Sequence, residues 1–302
     1  MFDSKTHEML GNIPYHVQTG VLSSHRTGEM HQEFKISFDE FRGEVGSPTF
    51  KYKPEYVGFG SDQFSVSGPA SGTSITARTT VTLVIVWKEH DMADYDIVNR
   101  VMRLHWNFGN HASNIFDSTS GHLEVDQFRC DTTFKNNQQR LQQGCVVPKL
   151  TPQFELTGTT PELTGHVERA IASGLPGTAA RPLHRQTDRT TIDINRQTSC
   201  PASGPVRDGR RIGDRQCDEY PMASTTEGAA STRGPGRTFN PECHVPDLGA
   251  STDPNGYSVC MINKDHNQDG GRALGTFYAD NRVVNQDPFT VHASGGVLPP
   301  IP

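Results

Sequence analysis

Apolar and polar residues alternate over much of the first half of the chain, which predicts β-strands rather than helices. The stretch from Thr80 to Trp87 is rich in β-branched residues and long enough for a central strand. From Met102 to Phe108, large apolar residues alternate with polar ones, as in a half-buried strand. About eight strands separated by turn residues predict a β-sandwich over residues 1–160. The shorter predicted strands are 16–22, 34–41, 49–57, 63–67, 123–128 and 153–156.

The residues of this first part do not form a recognisable catalytic constellation. Its histidines are scattered along the sequence rather than set at the spacing of metal ligands. Trp87 and Trp106 are predicted to lie in the core, with an exposed sugar-binding platform as the alternative. A targeting module is one interpretation of such a domain.

A connecting segment is predicted at residues 161–199, ahead of a second domain at 200–302. Residues 162–173 have weak helical character, and the Gly-Leu-Pro-Gly sequence that follows them ends the helix. Residues 182–201 are polar and carry arginines. They are therefore expected to run along the surface as irregular chain.

The composition favours a soluble protein with many loops. Only 33% of the 302 residues are hydrophobic, and 29 Gly with 20 Pro imply many turns and short elements. No apolar run approaches the roughly 18 residues of a membrane span, so no membrane partner is expected. The formal net charge of -6 argues against a broad basic surface that coats DNA.

Six cysteines, an even number, include no Cys-x-x-Cys pair. Disulfides in an oxidising, extracellular setting are therefore predicted rather than a zinc site or free thiols. The first residues lack the basic and apolar parts of a signal peptide, so either such a peptide has been removed or export uses another route. The last four cysteines allow three connectivities, of which pairing between sequence neighbours is preferred. The expected disulfides are Cys130–Cys145 around a surface excursion, Cys200–Cys217 and Cys243–Cys260.

The candidate chemistry lies in the last third of the chain, around two adjacent acidic residues. Asp218 and Glu219 precede an aromatic-proline step, and Glu227 follows in the same stretch. Adjacent carboxylates repel each other, so a retained pair suits a site that holds a divalent cation or moves a proton. A solvated turn is the ordinary alternative for an Asp-Glu pair before proline.

A second stretch, residues 257–271, has the pattern of a strand followed by Asn267 and Gly-rich residues. Together the two stretches resemble the NucA/NucB-type family of secreted bacterial deoxyribonucleases. Those proteins carry an Asp-Glu-aromatic-Pro-x-Ala motif, a Glu-Gly step, and an Asn before Gly-rich residues that open a helix. Here these features fall on 218–223, 227–228 and 267–271.

The resemblance implies a ββα-metal nuclease fold, in which a strand delivers a general base and a helix delivers an Asn ligand to one divalent cation. With the β-sandwich in front, the predicted fold class is α+β, and the second domain is small and disulfide-bonded. Residues 257–262 are the predicted strand and 271–280 the predicted helix, with Asn267 in the turn between them. Capping of that helix is the alternative role for Asn267.

The resemblance also implies a role for each acidic residue. Asp218 corresponds to the catalytic aspartate and is the predicted general base. Because an ordinary aspartate is a weak base at neutral pH, this role needs neighbouring carboxylates or burial. Glu219 is predicted either to supply that effect or to bind the metal, and Glu227 is a candidate outer ligand or an exposed residue. Oxygen donors suit magnesium, calcium or manganese, of which magnesium or manganese is expected.

The family pattern is not fully matched at the residues expected to bind phosphate. Some members have Arg immediately before the Asp-Glu pair, where this chain has Cys217. His266 stands where acidic residues are common, and it is predicted either to hold a phosphate or metal or to be exposed. The arginines left for phosphate contact are Arg210, Arg211, Arg215 and Arg272.

The predicted function is that of an extracellular, metal-dependent, sequence-nonspecific endonuclease that acts on DNA as a monomer. One alternative is a secreted binding protein whose nuclease-like domain no longer cuts. Another is an exported antibacterial toxin, with an immunity or inhibitor protein as its partner. A fragment of about residues 176–302 is expected to retain cleavage, because every candidate catalytic group lies within it.

Overall fold

A computed structural model describes residues 2–301 of the chain, except 4, 7, 58–63, 90–91, 111–114, 117–119, 125–126, 137, 202–213 and 233. The chain divides into two units, Met1–Lys149 and Leu150–Pro302. The division falls before the boundary expected at residue 160, because the strand Gln153–Leu156 pairs with Pro288–Ala293 near the end of the chain.

Strands dominate the first unit, as the alternation of apolar and polar residues predicts. In its described part they are β1 (Phe2–Asp3), β2 (Gly11–Asn12), β3 (Tyr15–Ser23), β4 (Glu29–Phe38), β5 (Arg42–Gly43), β6 (Pro48–Val57), β7 (Phe64–Ser67), β8 (Thr73–Ser74), β9 (Thr80–Lys88), β10 (Ile97–Asn110), β11 (Ile115–Phe116), β12 (Ser120–Glu124), β13 (Phe128–Lys135) and β14 (Leu141–Val146). The β-rich character expected for this part of the chain is confirmed.

Two larger sheets of this unit share one core. One sheet has the strand order β14-β13-β10-β6-β8, with β12 also paired to β10, and the other has the order β3-β4-β9-β7. Their alternating apolar side chains, among them Phe34, Leu83 and Leu104, form a single buried cluster. Trp87 and Trp106 belong to this cluster, in agreement with the predicted core role.

The segment between Cys130 and Cys145 is a β-hairpin rather than a surface excursion. β13 and β14 pair antiparallel, with Cys130 opposite Cys145, and the disulfide joins the two strands. Asp131, next to the first cysteine, is fully buried. The strand predicted at 123–128 is divided in the structure between β12 and β13.

The second unit combines strands and helices. Its described elements form two three-stranded sheets, with the orders β15-β20-β16 and β17-β19-β18. No helix in the described ranges is long and apolar enough to cross a membrane. The elements are β15 (Gln153–Leu156), α1 (Pro161–Ala172), β16 (Leu183–His184), α2 (Arg189–Ser199), β17 (Arg215–Tyr220), β18 (Gly236–Arg237), β19 (Tyr257–Asn263), α3 (Lys264–Asp280) and β20 (Pro288–Ala293).

The segment expected to connect the domains carries two helices of the second unit. α1 begins at Pro161, as its weak helical pattern predicts, and packs against β19 and α3. α2 lies in the polar stretch that was expected to be irregular. Asp188 caps α2 by accepting hydrogen bonds from the backbone N–H and the hydroxyl of Thr191. The two residues that α2 buries, Asn195 and Ser199, are both polar, so the sequence of α2 has no apolar stripe that would predict a packed helix.

α3 begins earlier than predicted, so Asn267 lies inside the helix. β19 ends at Asn263, whose side chain accepts hydrogen bonds from two backbone N–H groups of the first helical turn. Asn263 is therefore the N-cap, and the capping role considered for Asn267 belongs to it. Gly270 lies within α3 against Leu163 of α1, where a Cβ atom would collide with the leucine. Glycine at this position permits the close approach of the two helices.

Three disulfides join the six cysteines in the pairs predicted from the sequence. Cys200–Cys217 links the end of α2 to β17, and Cys243–Cys260 links a loop to β19. The two bonds of the second unit each span 17 residues. Closing a loop of about this length in the unfolded chain stabilises the fold by roughly 3 kcal/mol in the chain-entropy model.

Candidate active site

Strand β17 carries Asp218 and Glu219 to the wall of a cavity of about 440 Å³ in the second unit. Because β17 is the edge strand of its sheet, side chains from both of its faces reach this one opening. Asn267 lines the cavity from α3, and Arg196 lines it from α2. The apolar part of the wall includes Phe154, Leu156, Leu163, Val167, Ala223 and Leu274.

Asp218 is held by a histidine from outside the motif. Asp218 and Ser258 lie diagonally across the β17–β19 ladder, because Asp218 is opposite Cys260 and Ser258 is opposite Tyr220. His166 of α1 spans the two side chains. Its Nδ1 lies 2.6 Å from Asp218 Oδ2, and its Nε2 lies 2.8 Å from Ser258 Oγ.

Both ring nitrogens of His166 have a hydrogen-bond partner. An ionised carboxylate accepts hydrogen bonds and cannot donate them, so Nδ1 of His166 donates to Asp218. In the neutral form of the ring, Ser258 donates its hydroxyl hydrogen to Nε2, which satisfies both nitrogens. Oδ1 of Asp218 has no hydrogen-bond partner among the described residues. One carboxylate oxygen is therefore held and the other is left for a ligand.

The contacts among Ser258, His166 and Asp218 are those of a Ser-His-Asp triad. In such a triad the serine faces the substrate, whereas here the aspartate faces the cavity. Ser258 is fully buried and does not line the cavity, whereas Asp218 is 7% exposed and does. A molecule in the cavity therefore meets the carboxylate rather than the hydroxyl. This arrangement favours a carboxylate base over a serine nucleophile.

Glu219, next along the strand, has a different environment. Burial and then the negative charge of Asp218 raise the pKa of Glu219 to about 7, against the opposing effect of the Arg196 charge. Its Oε2 lies 3.6 Å from Cys200 Sγ, which is a disulfide sulfur and has no hydrogen to donate. A carboxyl group in these surroundings is stabilised in its ionised form by a bound cation.

Asn267 supplies a third oxygen to the cavity. Its amide nitrogen donates to Gln216 Oε1 at 3.3 Å and to the carbonyl oxygen of Cys217 at 3.4 Å, which leaves the amide oxygen for a ligand. Carboxylate and amide oxygens are donors that Mg²⁺, Mn²⁺ and Ca²⁺ prefer, so these residues fit such an ion. In the described ranges, no three His, Cys, Asp or Glu side chains converge on one point. A cation bound here would therefore use the amide oxygen and water to complete its ligands.

Glu227 and Arg215, two other predicted site residues, are bound elsewhere. Glu227 Oε2 accepts a hydrogen bond from the backbone N–H of His184 at 2.9 Å, and Oε1 lies 2.8 Å from the Nδ1 atom of the same residue. Arg215 donates to the carbonyl oxygens of Met261 and Pro300. Neither side chain lines the cavity.

His266 and Arg272, two further predicted phosphate contacts, do not line the cavity. His266 has a buried Nδ1 atom without a hydrogen-bond partner in the part of the chain that the structure describes. Arg272 forms an ion pair with Asp269 of the same helix. Arg210 and Arg211 lie outside the described residues. The arrangement thus brings together Asp218, Glu219 and Asn267 from the predicted set.

Two residues at this site, His166 and Arg196, were not predicted from the sequence. His166 comes to Asp218 from 52 residues earlier in the chain. It lies on the buried face of α1, between Leu163 and Val167. A histidine on the apolar face of a helix is the one signal that could have found it. Arg196 lies in a helix that the sequence pattern does not indicate.

The family model described as Deoxyribonuclease NucA/NucB matches residues 171–292. The match confirms the resemblance and identifies a deoxyribonuclease domain of this family in the second unit. Asp218, Glu219 and Asn267 fall inside the matched range, while His166 precedes it. The comparison with curated proteins finds no match.

Proposed function

We propose that the second unit is a divalent-metal-dependent endonuclease that hydrolyses DNA phosphodiester bonds without sequence specificity. One observation carries the proposal: Asp218 lines a cavity with one carboxylate oxygen held by His166 and the other left for a ligand. The strand-strand-helix order of β17, β19 and α3 supports assignment to the ββα-metal class.

Asp218 acts as the general base in this proposal. Its held oxygen keeps the carboxylate in one orientation, and the second oxygen takes a proton from the water that attacks phosphorus. His166 donates to the carboxylate throughout and does not exchange protons with the substrate. The buried position of His166 and Ser258 keeps the orientation of Asp218 independent of solvent.

Glu219 and Asn267 are the residues that would hold the cation, for which magnesium or manganese is proposed. When bound, the cation stabilises charge on the non-bridging oxygens and on the leaving 3'-oxygen of the phosphodiester. Glu227, the other ligand considered from the sequence, is hydrogen-bonded to His184 instead. Glu219 is therefore the proposed carboxylate ligand of the cation, instead of Glu227.

Export to an oxidising, extracellular environment is part of the proposal, and the three disulfides support it. The protein is proposed to act as a monomer with DNA as its substrate. The grouping of Asp218, Glu219 and Asn267 in one cavity supports a domain that cuts over a binding protein that does not.

The test is incubation of supercoiled plasmid with the full, oxidised chain, with magnesium, manganese or excess EDTA. We expect nicked and then linear DNA with either metal, and at least a hundredfold slower cleavage in EDTA. Supercoiled plasmid has no ends, so its cleavage also establishes endonuclease action. Undiminished cleavage in excess chelator contradicts the metal dependence. No cleavage of DNA under any metal contradicts the function itself.

A further inference from the structure

Arg196 is, in the described ranges, the one cationic side chain that lines the cavity. It lies in the last turn of α2, just before Cys200. Cys200 is bonded to Cys217, which directly precedes Asp218. The disulfide therefore holds the helix end that carries Arg196 next to the strand that carries the carboxylates.

The guanidinium of Arg196 is available to a ligand. Its one side-chain hydrogen bond in the described structure is to Asp193, 3.3 Å away, and the two side chains are 59% and 63% exposed. Its charge also acts on Glu219, whose pKa it lowers. An exposed ion pair of this kind contributes little to stability. It also engages one of the five N–H donors of the guanidinium. Arg196 can therefore leave Asp193 at little cost when an anion arrives.

A DNA phosphate that enters this cavity must approach Asp218 and Glu219. The negative charge of these residues opposes its entry unless a cation stands close by. Arginine suits this task because its planar guanidinium binds two phosphate oxygens at once. Arg215 and Arg272 are engaged with carbonyl oxygens and with Asp269, away from the cavity.

We propose that Arg196 binds a phosphate of the DNA strand at the rim of the cavity. The inference rests on the proposed nuclease function and adds to it the residue that determines substrate affinity. Arg196 acts on binding, because its charge stands at the rim, whereas Asp218 acts on the chemical step. The substrate feature that Arg196 recognises is the phosphodiester itself, which is present in every sequence.

The experiment compares Arg196→Gln with Arg189→Gln and Arg272→Gln in the full, oxidised chain. Arg189 is exposed at the start of the same helix and outside the cavity, so its variant loses the same charge and serves as the control. Arg272 is the rival candidate from the sequence. Binding of a labelled 20-base-pair duplex is measured in EDTA at several salt concentrations, and kcat and KM are measured in magnesium.

We expect Arg196→Gln to weaken binding roughly tenfold, the loss typical of a charged hydrogen bond. The slope of log K against log salt should fall by about 0.9, as for one phosphate contact on duplex DNA. Loss of the Arg196 charge also raises the pKa of Glu219, so kcat and KM are compared at saturating magnesium. There KM should rise while kcat stays within about threefold of the wild-type value. Arg189→Gln and Arg272→Gln should keep the wild-type affinity and salt slope, and Arg196→Lys should recover part of the affinity.

Equal losses in Arg196→Gln and Arg189→Gln would overturn the proposal, because they would mean a general effect of charge. A larger loss in Arg272→Gln would assign the contact to the other helix. If Arg196 matters just as the partner of Asp193, then Asp193→Asn should weaken binding as much as Arg196→Gln. Failure of the nuclease proposal is distinguishable, because it would appear as a wild-type protein that does not cut plasmid.

Discussion

Two histidine-carboxylate pairs of the second unit have the same chemical partners and different surroundings. His166 and Asp218 pair at 2.6 Å inside the protein, and His184 and Glu227 pair at 2.8 Å nearer the surface. The His166 side chain has no exposed surface, whereas that of His184 is 38% exposed. The first pair borders the cavity, and the second does not.

The difference shows that a contact type does not identify a functional residue without its surroundings. Away from water, a hydrogen bond is stronger and a side chain keeps one orientation, so the His166 pair can hold a reacting group in place. A solvent-exposed pair is screened and adds little to stability. The His184 pair instead ties β16 to the loop that follows the motif. The carboxylate next to the cavity is thus the one to which catalysis is assigned.

The largest loss of activity is expected from a substitution of Asp218, the carboxylate of the buried pair. Asp218→Asn keeps the size of the side chain and removes its ability to accept a proton. We expect cleavage to slow by roughly 10²-fold to 10⁴-fold while DNA and metal binding persist. Single-turnover cleavage beside metal titration measures both effects. Near-normal turnover in this variant would remove the general base from the proposal.

Two substitutions at His166 test its two hydrogen bonds one at a time. In His166→Asn the amide nitrogen stands near the position of Nδ1 and can still donate to Asp218. In His166→Gln the amide reaches instead towards Ser258, and the donor to Asp218 is lost. We expect kcat to fall roughly 10-fold to 100-fold in His166→Gln and clearly less in His166→Asn, with KM little changed in both.

A purely structural role for His166 predicts another outcome for the same two variants. Their activities would then follow their melting temperatures, whichever hydrogen bond each one keeps. Calorimetry of the oxidised chain supplies the melting temperatures. Tryptophan fluorescence is the internal control, because Trp87 and Trp106 both lie in the first unit and should report no change.

A smaller effect is expected when the hydrogen bond between Ser258 and His166 is removed. Ser258→Ala removes the hydroxyl that donates to Nε2 of His166 and leaves that buried nitrogen unsatisfied. The free energy of unfolding should fall by roughly 1–3 kcal/mol, as measured by denaturant unfolding of the second unit. Cleavage should fall less than in His166→Gln, because the hydrogen bond to Asp218 remains. An equal or greater loss of turnover would give Ser258 a more direct role.

The smallest effect is expected at the exposed pair. His184→Ala removes one hydrogen bond to Glu227 and keeps the bond from the backbone N–H. Stability should change by less than about 1 kcal/mol, and the cleavage rate by less than about twofold. A loss of cleavage rate as large as that of His166→Gln would mean that the two pairs are equally important for activity. Glu227 would then again be a candidate metal ligand. Plasmid cleavage over a range of magnesium concentrations distinguishes the two outcomes.

The strands of the first unit could be predicted because half-buried strands alternate apolar and polar residues every second position. β9 (Thr80–Lys88) differs from its prediction by one residue at one end. α2 could not be predicted in the same way, because its sequence is polar and the two residues that it buries, Asn195 and Ser199, are polar as well. The start of α3 was misplaced because Gly270 and Gly271 suggest a loop, while the packing of Gly270 against α1 keeps them in the helix.

The cavity was predictable where its residues share a local motif. Asp218 and Glu219 are adjacent in the sequence, and Asn267 lies in the second motif. His166 reaches Asp218 through the packing of α1 on the sheet, which no local pattern records. The expectation that residues 176–302 suffice for cleavage therefore needs revision, because that fragment lacks His166 and β15. A fragment from residue 150 contains the whole second unit.

The bond between Cys200 and Cys217 also bears on when the protein becomes able to act. Until the two thiols are oxidised, the end of α2 lacks its covalent link to β17, and Arg196 is positioned by its buried neighbour Asn195, which hydrogen-bonds to Ala223, Thr225 and Ala230. If the chain is exported as proposed, this link forms in the oxidising compartment, after synthesis. For the proposed nuclease, the cross-link that stabilises the domain would then also separate, in time and place, the synthesis of the chain from the completion of its cavity wall.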